Sequence, residues 1–365
     1  MKILLVLYGS LEQLSGGYLY DRQVVGYLRS RGVEVGILSL PAERRELRRL
    51  LQGRAGARSC DAVVIDELVC PSVFRSVARR RPAAPPVLTL VHHLRSREPI
   101  PEPLRLLARR QERRLLAHSR AVLVNSRVTG DTVRELVGSE VPLYLCPPGS
   151  DLLVGLADAA ERPAAGASGP GAAMPAPRPG AGEAPVRLLV TGNLIRRKGH
   201  DLLLRMLSNL RELSWRLRVV GRTVDRGYAR RLRSLGRRLG LGERVEYTGE
   251  LTGPDLAREY RQAEVFVFPS RYEGYGISLA EAVREGLPFV AFASGALGEV
   301  TGGRGHLLAP GDLAGFTQAL KGLIEDPQER CRAAALSREL AAGLPGWADT
   351  GRRFHEALKE VIGDG

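Results

Sequence analysis

The chain has 365 residues, 44% of them hydrophobic and 26% charged, enough to bury the cores of two ordinary domains and too apolar for a disordered chain. No apolar run approaches the roughly 18 residues of a membrane span, and the four cysteines, Cys60, Cys70, Cys146 and Cys331, form no CxxC pair, which points to free thiols and a cytoplasmic location. The net charge of +14 falls mostly within residues 1–150, but no aromatic-interleaved basic motif accompanies it, which argues against nucleic acid.

Ile3–Leu7 is a short continuous apolar run, the pattern of a parallel strand covered on both faces. Gly9, Gly16 and Gly17 punctuate the loop after it. A helix is expected from about Tyr18 to Arg31, ended by Gly32, and Val33–Leu38 is the next strand. The alternation continues through strands at Ala62–Ile65, Val87–Val91, Ala121–Asn125 and Leu143–Cys146, with helices at Leu104–Ala117 and Thr129–Leu136. Arginine runs at Arg44-Arg45-x-x-Arg48-Arg49 and Arg109-Arg110-x-x-Arg113-Arg114 read either as solvated helix faces or as a surface for anionic lipid or an anionic acceptor.

Residues 156–185 break the pattern: an Ala/Gly/Pro-rich stretch that builds no core and reads as a linker or surface loop. A second α/β series follows. Its expected strands are Val186–Thr191, Trp215–Val220, Val245–Thr248, Val265–Pro269, Phe289–Phe292 and Gly305–Leu308. Its expected helices are Gly199–Leu213, Arg226–Leu239, Asp255–Gln262, Ser278–Arg284 and Asp312–Ile324, then a short one from Asp326-Pro327 and a terminal one over Ala348–Ile362. The fold class is α/β: two Rossmann-like, doubly wound parallel-sheet domains, whose ligands belong at the carboxyl ends of the strands.

The most informative segment is Phe266-Val-Phe-Pro-Ser-Arg-Tyr-Glu-Gly-Tyr-Gly-Ile-Ser-Leu-Ala-Glu281. A strand ends, a Gly-rich turn with Gly274 and Gly276 follows, and a helix begins whose first amide groups form a natural site for a diphosphate. Glu273 and Glu281 flank the turn. A carboxylate accepts two hydrogen bonds at once, which suits the vicinal hydroxyls of a sugar; the plainer reading is a helix-capping acid and a solvated loop acid. Thr191-Gly-Asn-Leu-Ile-Arg-Arg-Lys-Gly-His200 also joins a strand to a helix, and its cations could neutralise a diphosphate leaving group. No HxxH, CxxC or D-x-D stands where a nucleotide-bound metal would need it, so no metal ligand is expected.

Glu273-Gly-Tyr-Gly-Ile-Ser-Leu-Ala-Glu281 resembles the paired-glutamate hallmark of glycosyltransferase family 4, retaining enzymes of GT-B architecture, with Tyr275 and Ile277 as mild variants. The resemblance spans nearly the whole chain. It implies two domains facing a central cleft: an acceptor domain over 1–155, the 156–185 linker, a nucleotide-sugar donor domain over 186–345, and a terminal helix over 346–365 that packs back on the first domain. It places Glu281 on the ribose, Glu273 by the transferred sugar, and Lys198 on the diphosphate with the Gly276–Ser278 backbone. Asn193 stands where the family has an arginine; either Arg196 or Arg197 is expected to replace it, or Lys198 to act with fewer partners. The base is expected near Gly249 and Leu251. In the first domain the resemblance assigns Gly16-Gly17 to the donor phosphate, His92 to the donor sugar with His93 and Ser126 on the acceptor side, and Cys146–Asp151 to the hinge.

The implied activity is metal-independent, retaining transfer of a hexose from a nucleotide diphosphate sugar to a glycan, lipid-linked or small-molecule acceptor, by front-face attack. It needs no cofactor and no nucleic acid, and the basic first domain is expected to meet an anionic membrane peripherally. A non-catalytic sugar-nucleotide or membrane-binding protein on the same scaffold is the alternative. A two-domain epimerase is a smaller one, and a dehydrogenase would need a GxGxxG after the first strand, which is absent.

Overall fold

A computed structural model describes residues 1–54, 59–154 and 184–363. The expected linker at 156–185 therefore lies almost wholly outside the described residues. Contacts divide the chain into two compact units, residues 1–149 with 345–365 and residues 150–344.

The first unit alternates β1 (Lys2–Tyr8), α1 (Gly16–Ser30), β2 (Glu34–Leu40), α2 (Arg44–Leu51), β3 (Ala62–Asp66), α3 (Cys70–Val77), β4 (Val87–Val91), α4 (Glu102–Leu116), β5 (Ala121–Val124), α5 (Arg127–Val137) and β6 (Leu143–Leu145). The strands pair in parallel in the order β2-β1-β3-β4-β5-β6. β3 and β4 are buried along their full length, which explains why they read as unbroken apolar runs. Each such Val or Leu contributes about 1.5–3 kcal/mol on burial. α1 begins two residues earlier than expected, because Ser15 takes extended backbone and lets the helix start at Gly16. The glycine pair therefore forms the first turn of α1, not a loop. α3 was not expected at all.

The second unit runs β7 (Val186–Thr191), α6 (His200–Ser208), β8 (Trp215–Val220), α7 (Arg226–Arg238), β9 (Val245–Gly249), α8 (Gly253–Gln262), β10 (Val265–Phe268), α9 (Ile277–Arg284), β11 (Phe289–Phe292), α10 (Leu297–Thr301), β12 (His306–Leu308), α11 (Leu313–Glu325) and α12 (Pro327–Ala341). Its parallel sheet has the order β12-β11-β10-β7-β8-β9. α12 extends for 15 residues where a short helix was expected; Asp326 caps it through the Gln328 amide and Pro327 occupies its first turn. Two cores cover the two faces of this sheet, one around Leu188, Trp215 and Phe316, the other around Phe266, Phe268 and Leu279.

The terminal helix α13 (Trp347–Gly363) belongs to the first unit. It lies so close to α1 that a Cβ on Gly351 would sit 2.2 Å from the Tyr27 ring. Trp347 meets Tyr20 edge-on at 6.0 Å, and the Thr350 hydroxyl donates to the Pro147 carbonyl at 2.7 Å.

Candidate active site

In the second sheet the connections leave β7 and β10 in opposite directions, so these neighbouring strands form the switch point where an open α/β sheet binds its ligand. The loops after the two strands dock on each other. The Arg271 guanidinium grips Asp201 through two bonds of 3.0 and 2.8 Å, and its amide donates to the Arg197 carbonyl at 2.8 Å. Gly199 is required at the junction: its φ is +70°, and a Cβ there would lie 2.0 Å from the Pro269 carbonyl oxygen.

This docking assembles three charges. Lys198 Nζ donates to Glu273 Oε1 at 2.7 Å, and Arg197 lies 3.4 Å from Glu273 Oε2 while donating to the Tyr272 carbonyl at 2.7 Å. Glu273 is buried. Burial by itself would raise its carboxyl, but Lys198 and then Arg197 outweigh it and hold it at about 2. The ammonium also lies 5.2 Å from the centre of the Phe268 ring. Of the two candidates to replace the missing family arginine, Arg197 is the one beside Glu273; the side chain of Arg196 is exposed. Asn193 is half-buried, and its carbonyl accepts the Ile195 amide. His200 is buried with both ring nitrogens unbonded, and burial, then Lys198, push it down to about 3, so it is neutral.

α9 opens at Gly276, whose φ of +97° turns the chain into the helix without a side-chain cap, leaving its first amides aimed past the loop. Glu281 lies one turn further on, buried, with Oε2 3.0 Å from the Tyr260 hydroxyl, which in turn lies 3.1 Å from Thr191 Oγ1. Burial pushes the Glu281 carboxyl up to about 7, with the Tyr260 bond pulling the other way. Glu273 carries its charge at neutral pH, and Glu281 is poised to gain or lose one. Tyr275 packs into the core beside the site, so its side chain shapes the turn from behind. Gly249 ends β9, and Leu251 packs against the same core as Tyr260.

In the first unit the switch point lies between β1 and β3. His92, at the end of β4, is buried with Nε2 3.2 Å from Asp21 Oδ1 and 4.0 Å from Asp66 Oδ2. His93 Nε2 lies 3.0 Å from Glu98 Oε1. Gly17 lets the α1 backbone approach His92, since a Cβ there would meet the ring at 3.3 Å. Ser126, expected at the acceptor, is fully buried, and its hydroxyl caps α5 by accepting the Thr129 amide at 3.0 Å. That places it in the helix start and away from solvent. Asp21, Asp66 and His92 offer three potential ligand atoms within 4.8 Å of one another, a convergence that no local motif announced.

Six residues at these sites escaped the reading of the sequence: Arg271, Asp201 and Tyr260 in the second unit, and Asp21, Asp66 and Glu67 in the first. The one available signal was Asp66-Glu67, a charged pair ending a fully apolar strand.

Two parallel, doubly wound units of this kind define the GT-B class of fold. Residues 185–326 match the family model for glycosyl transferases group 1. D-inositol 3-phosphate glycosyltransferase 1 of Catenulispora acidiphila is 32% identical over 188 residues, covering 49% of this chain and 45% of that protein. Sucrose-phosphate synthase of Thermosynechococcus elongatus superposes with a TM-score of 0.80 over 100% of both chains at 20% identity. The HepE protein of Anabaena, solved with UDP-glucose, does so at 0.71 and 17% identity, over 99% of this chain and 100% of that one. The matched stretch spans about half the length of the curated relatives, or less.

Proposed function

We propose that the chain is a retaining, metal-independent hexosyltransferase that takes its sugar from a nucleotide diphosphate donor. The observation that carries the reading is the buried Lys198–Glu273–Arg197 cluster beside the start of α9, with Glu281 one turn beyond. In this reading the donor diphosphate replaces part of Glu273's hold on Lys198 and Arg197 and takes the first amides of α9. Glu281 accepts the two ribose hydroxyls, the base lies by Gly249 and Leu251, and Glu273 faces the transferred sugar. Within the first unit, the same reading gives His92 a part in handling the sugar, Gly16-Gly17 a part in binding phosphate, and His93 and Ser126 the acceptor side. Charge develops on the leaving diphosphate, so fixed cations there act where the transition state differs most from the ground state.

The test is a thermal-shift screen against UDP, GDP, ADP, their sugar conjugates and NAD(P), with and without Mg²⁺. Stabilisation by one nucleotide diphosphate that is indifferent to Mg²⁺ and lost in Glu281→Ala is expected. A shift with NAD(P) alone would remove the reading.

The same reading extends to a peripheral contact with anionic membrane. Opposite the buried Ala108, Glu112, Leu115 and Leu116, α4 exposes Leu106, Leu107, Arg110, Arg113 and Arg114. Leucines that enter the interface beside arginines that reach phosphates suit such a surface. Sedimentation with vesicles containing phosphatidylglycerol, and not with phosphatidylcholine alone, is expected. Leu106→Ser with Leu107→Ser should cut it at least about fivefold, each lost leucine weakening insertion; equal sedimentation of the double variant would refute the contact. Among the described residues no helix is long and apolar enough to cross a membrane.

A further inference from the structure

The transferase reading uses His92 but leaves its surroundings without a task. Asp21 comes from α1, Asp66 and Glu67 from the end of β3 and the turn after it, and all three are buried. Besides the contacts of His92 Nε2, Glu67 Oε2 accepts the His92 amide at 2.9 Å, and Asn125 Nδ2 donates to the His92 carbonyl at 2.7 Å. Asp21 Oδ2, Asp66 Oδ2 and Glu67 Oε1 are buried with no hydrogen-bond partner. Among the described residues no lysine or arginine pairs with Asp21, Asp66 or Glu67; the only cationic candidates beside them are His92 and His93. Tyr20 closes one side of the His92 ring edge-on at 5.0 Å, and the Tyr18 hydroxyl nearby donates to the Tyr8 carbonyl.

We infer that Asp21 is a positioning residue for His92: it holds the Nε2 edge of the ring, so that Nδ1 is left as the edge offered to a ligand. The inference rests on the reading that His92 serves sugar transfer. Nε2 lies 3.2 Å from Asp21 Oδ1, which commits that edge of the ring to Asp21. Three buried carboxylates around one imidazole also decide its charge. Burial lowers His92, but the Asp21 bond and charge, then Glu67 and Asp66, outweigh it and raise the ring to about 10. Asp66 goes the opposite way: burial, then Glu67 and Asp21, push its carboxyl well above the usual range. The 3.2 Å contact with Asp21 therefore favours the imidazolium form of His92. An imidazolium cannot remove a proton from an acceptor. It can donate Nδ1–H to an oxygen that is gaining negative charge, and Asp21 keeps that donor charged and aimed.

The test reads the ring directly in the full-length protein, by NMR of the histidine ¹⁵N and ¹³C resonances, with His92 identified by its loss in His92→Gln. In the unaltered protein the His92 signals should remain those of an imidazolium at pH 8. Asp21→Asn should move the ring's titration down by more than about one pH unit, and Asp21→Glu should restore part of it. In turnover, Asp21→Asn should add a loss of kcat as pH rises, with KM little changed, and in a His92→Gln background it should have no further effect. A ring already neutral at pH 7 in the unaltered protein overturns the inference without any variant. Independent, multiplying effects of Asp21→Asn and His92→Gln overturn it too, as does stabilisation by Zn²⁺ or Mn²⁺ that needs both residues, since a cation would then stand where the proton is placed. If the unaltered protein turns over no sugar nucleotide, the transferase reading fails alone, and the titration still decides the Asp21–His92 pairing.

Discussion

Replacing Lys198 with Ala should lower donor turnover by about 10²–10³-fold, the usual cost of removing one fixed charge from the site where a leaving group develops its own. The same change should destabilise the protein by about 3–5 kcal/mol, because Glu273, 6% exposed, loses its closest counter-ion and is left buried with Arg197 alone. Assays well below the variant's melting temperature separate the two effects. Glu273→Gln makes the sharper comparison. It keeps the shape of the side chain and frees Lys198 and Arg197 from a carboxylate that competes with the donor. Nucleoside diphosphate should therefore bind Glu273→Gln several-fold more tightly by calorimetry while kcat falls. Weaker binding together with unchanged kcat would mean that Glu273 only braces the loop, and turnover within about threefold of normal in Lys198→Ala would remove the cluster from the chemistry.

What could be read from the residues alone follows from how local each signal is. β3, β4, β10 and β11 are covered on both faces, so each appears as an unbroken apolar run, and their parallel pairing follows from the helices between them. The short α3 escaped because Cys70-Pro-Ser-Val-Phe-Arg-Ser-Val offers one buried stripe over only two turns, too little periodicity to register. The loops after β7 and β10 stand out in the sequence because Lys198, Glu273 and Glu281 each sit within a few residues of a glycine turn at a strand end. What holds them in place does not. Arg271 meets Asp201, and Tyr260 meets Glu281 and Thr191, only once β7 and β10 lie side by side. The Asp21–Asp66–His92 cluster is assembled from α1 and two strand ends, so no spacing within one segment could reveal it. Ser126 carries a local signal of another kind: just before α5, its hydroxyl caps the helix by accepting the Thr129 amide.

Donor affinity should rise with pH between 6 and 8, by about tenfold for a single group that titrates near the middle of that range. Glu281 is that group. Its folded carboxyl lies at about 7, and a protonated carboxyl can accept only part of what two ribose hydroxyls donate. The neighbouring charges do not interfere in this window, since Glu273 stays ionised with its carboxyl at about 2 and His200 stays neutral at about 3. The unliganded protein should show the opposite slope. The folded state holds the Glu281 proton to higher pH than the unfolded chain does, so the stability contributed by this group is present below the unfolded carboxylate range and is lost as pH rises through about 7. Glu281→Gln should therefore flatten both curves: it binds donor weakly at every pH and no longer loses stability as pH rises from 5 to 8. Calorimetry with the sugar nucleotide at pH 6, 7 and 8, paired with unliganded melting curves at the same values, reads both slopes. An affinity that is flat with pH in the unaltered protein would mean that Glu281 stays charged in the fold. A slope that survives in Glu281→Gln would place the titrating group elsewhere, and with it the ribose.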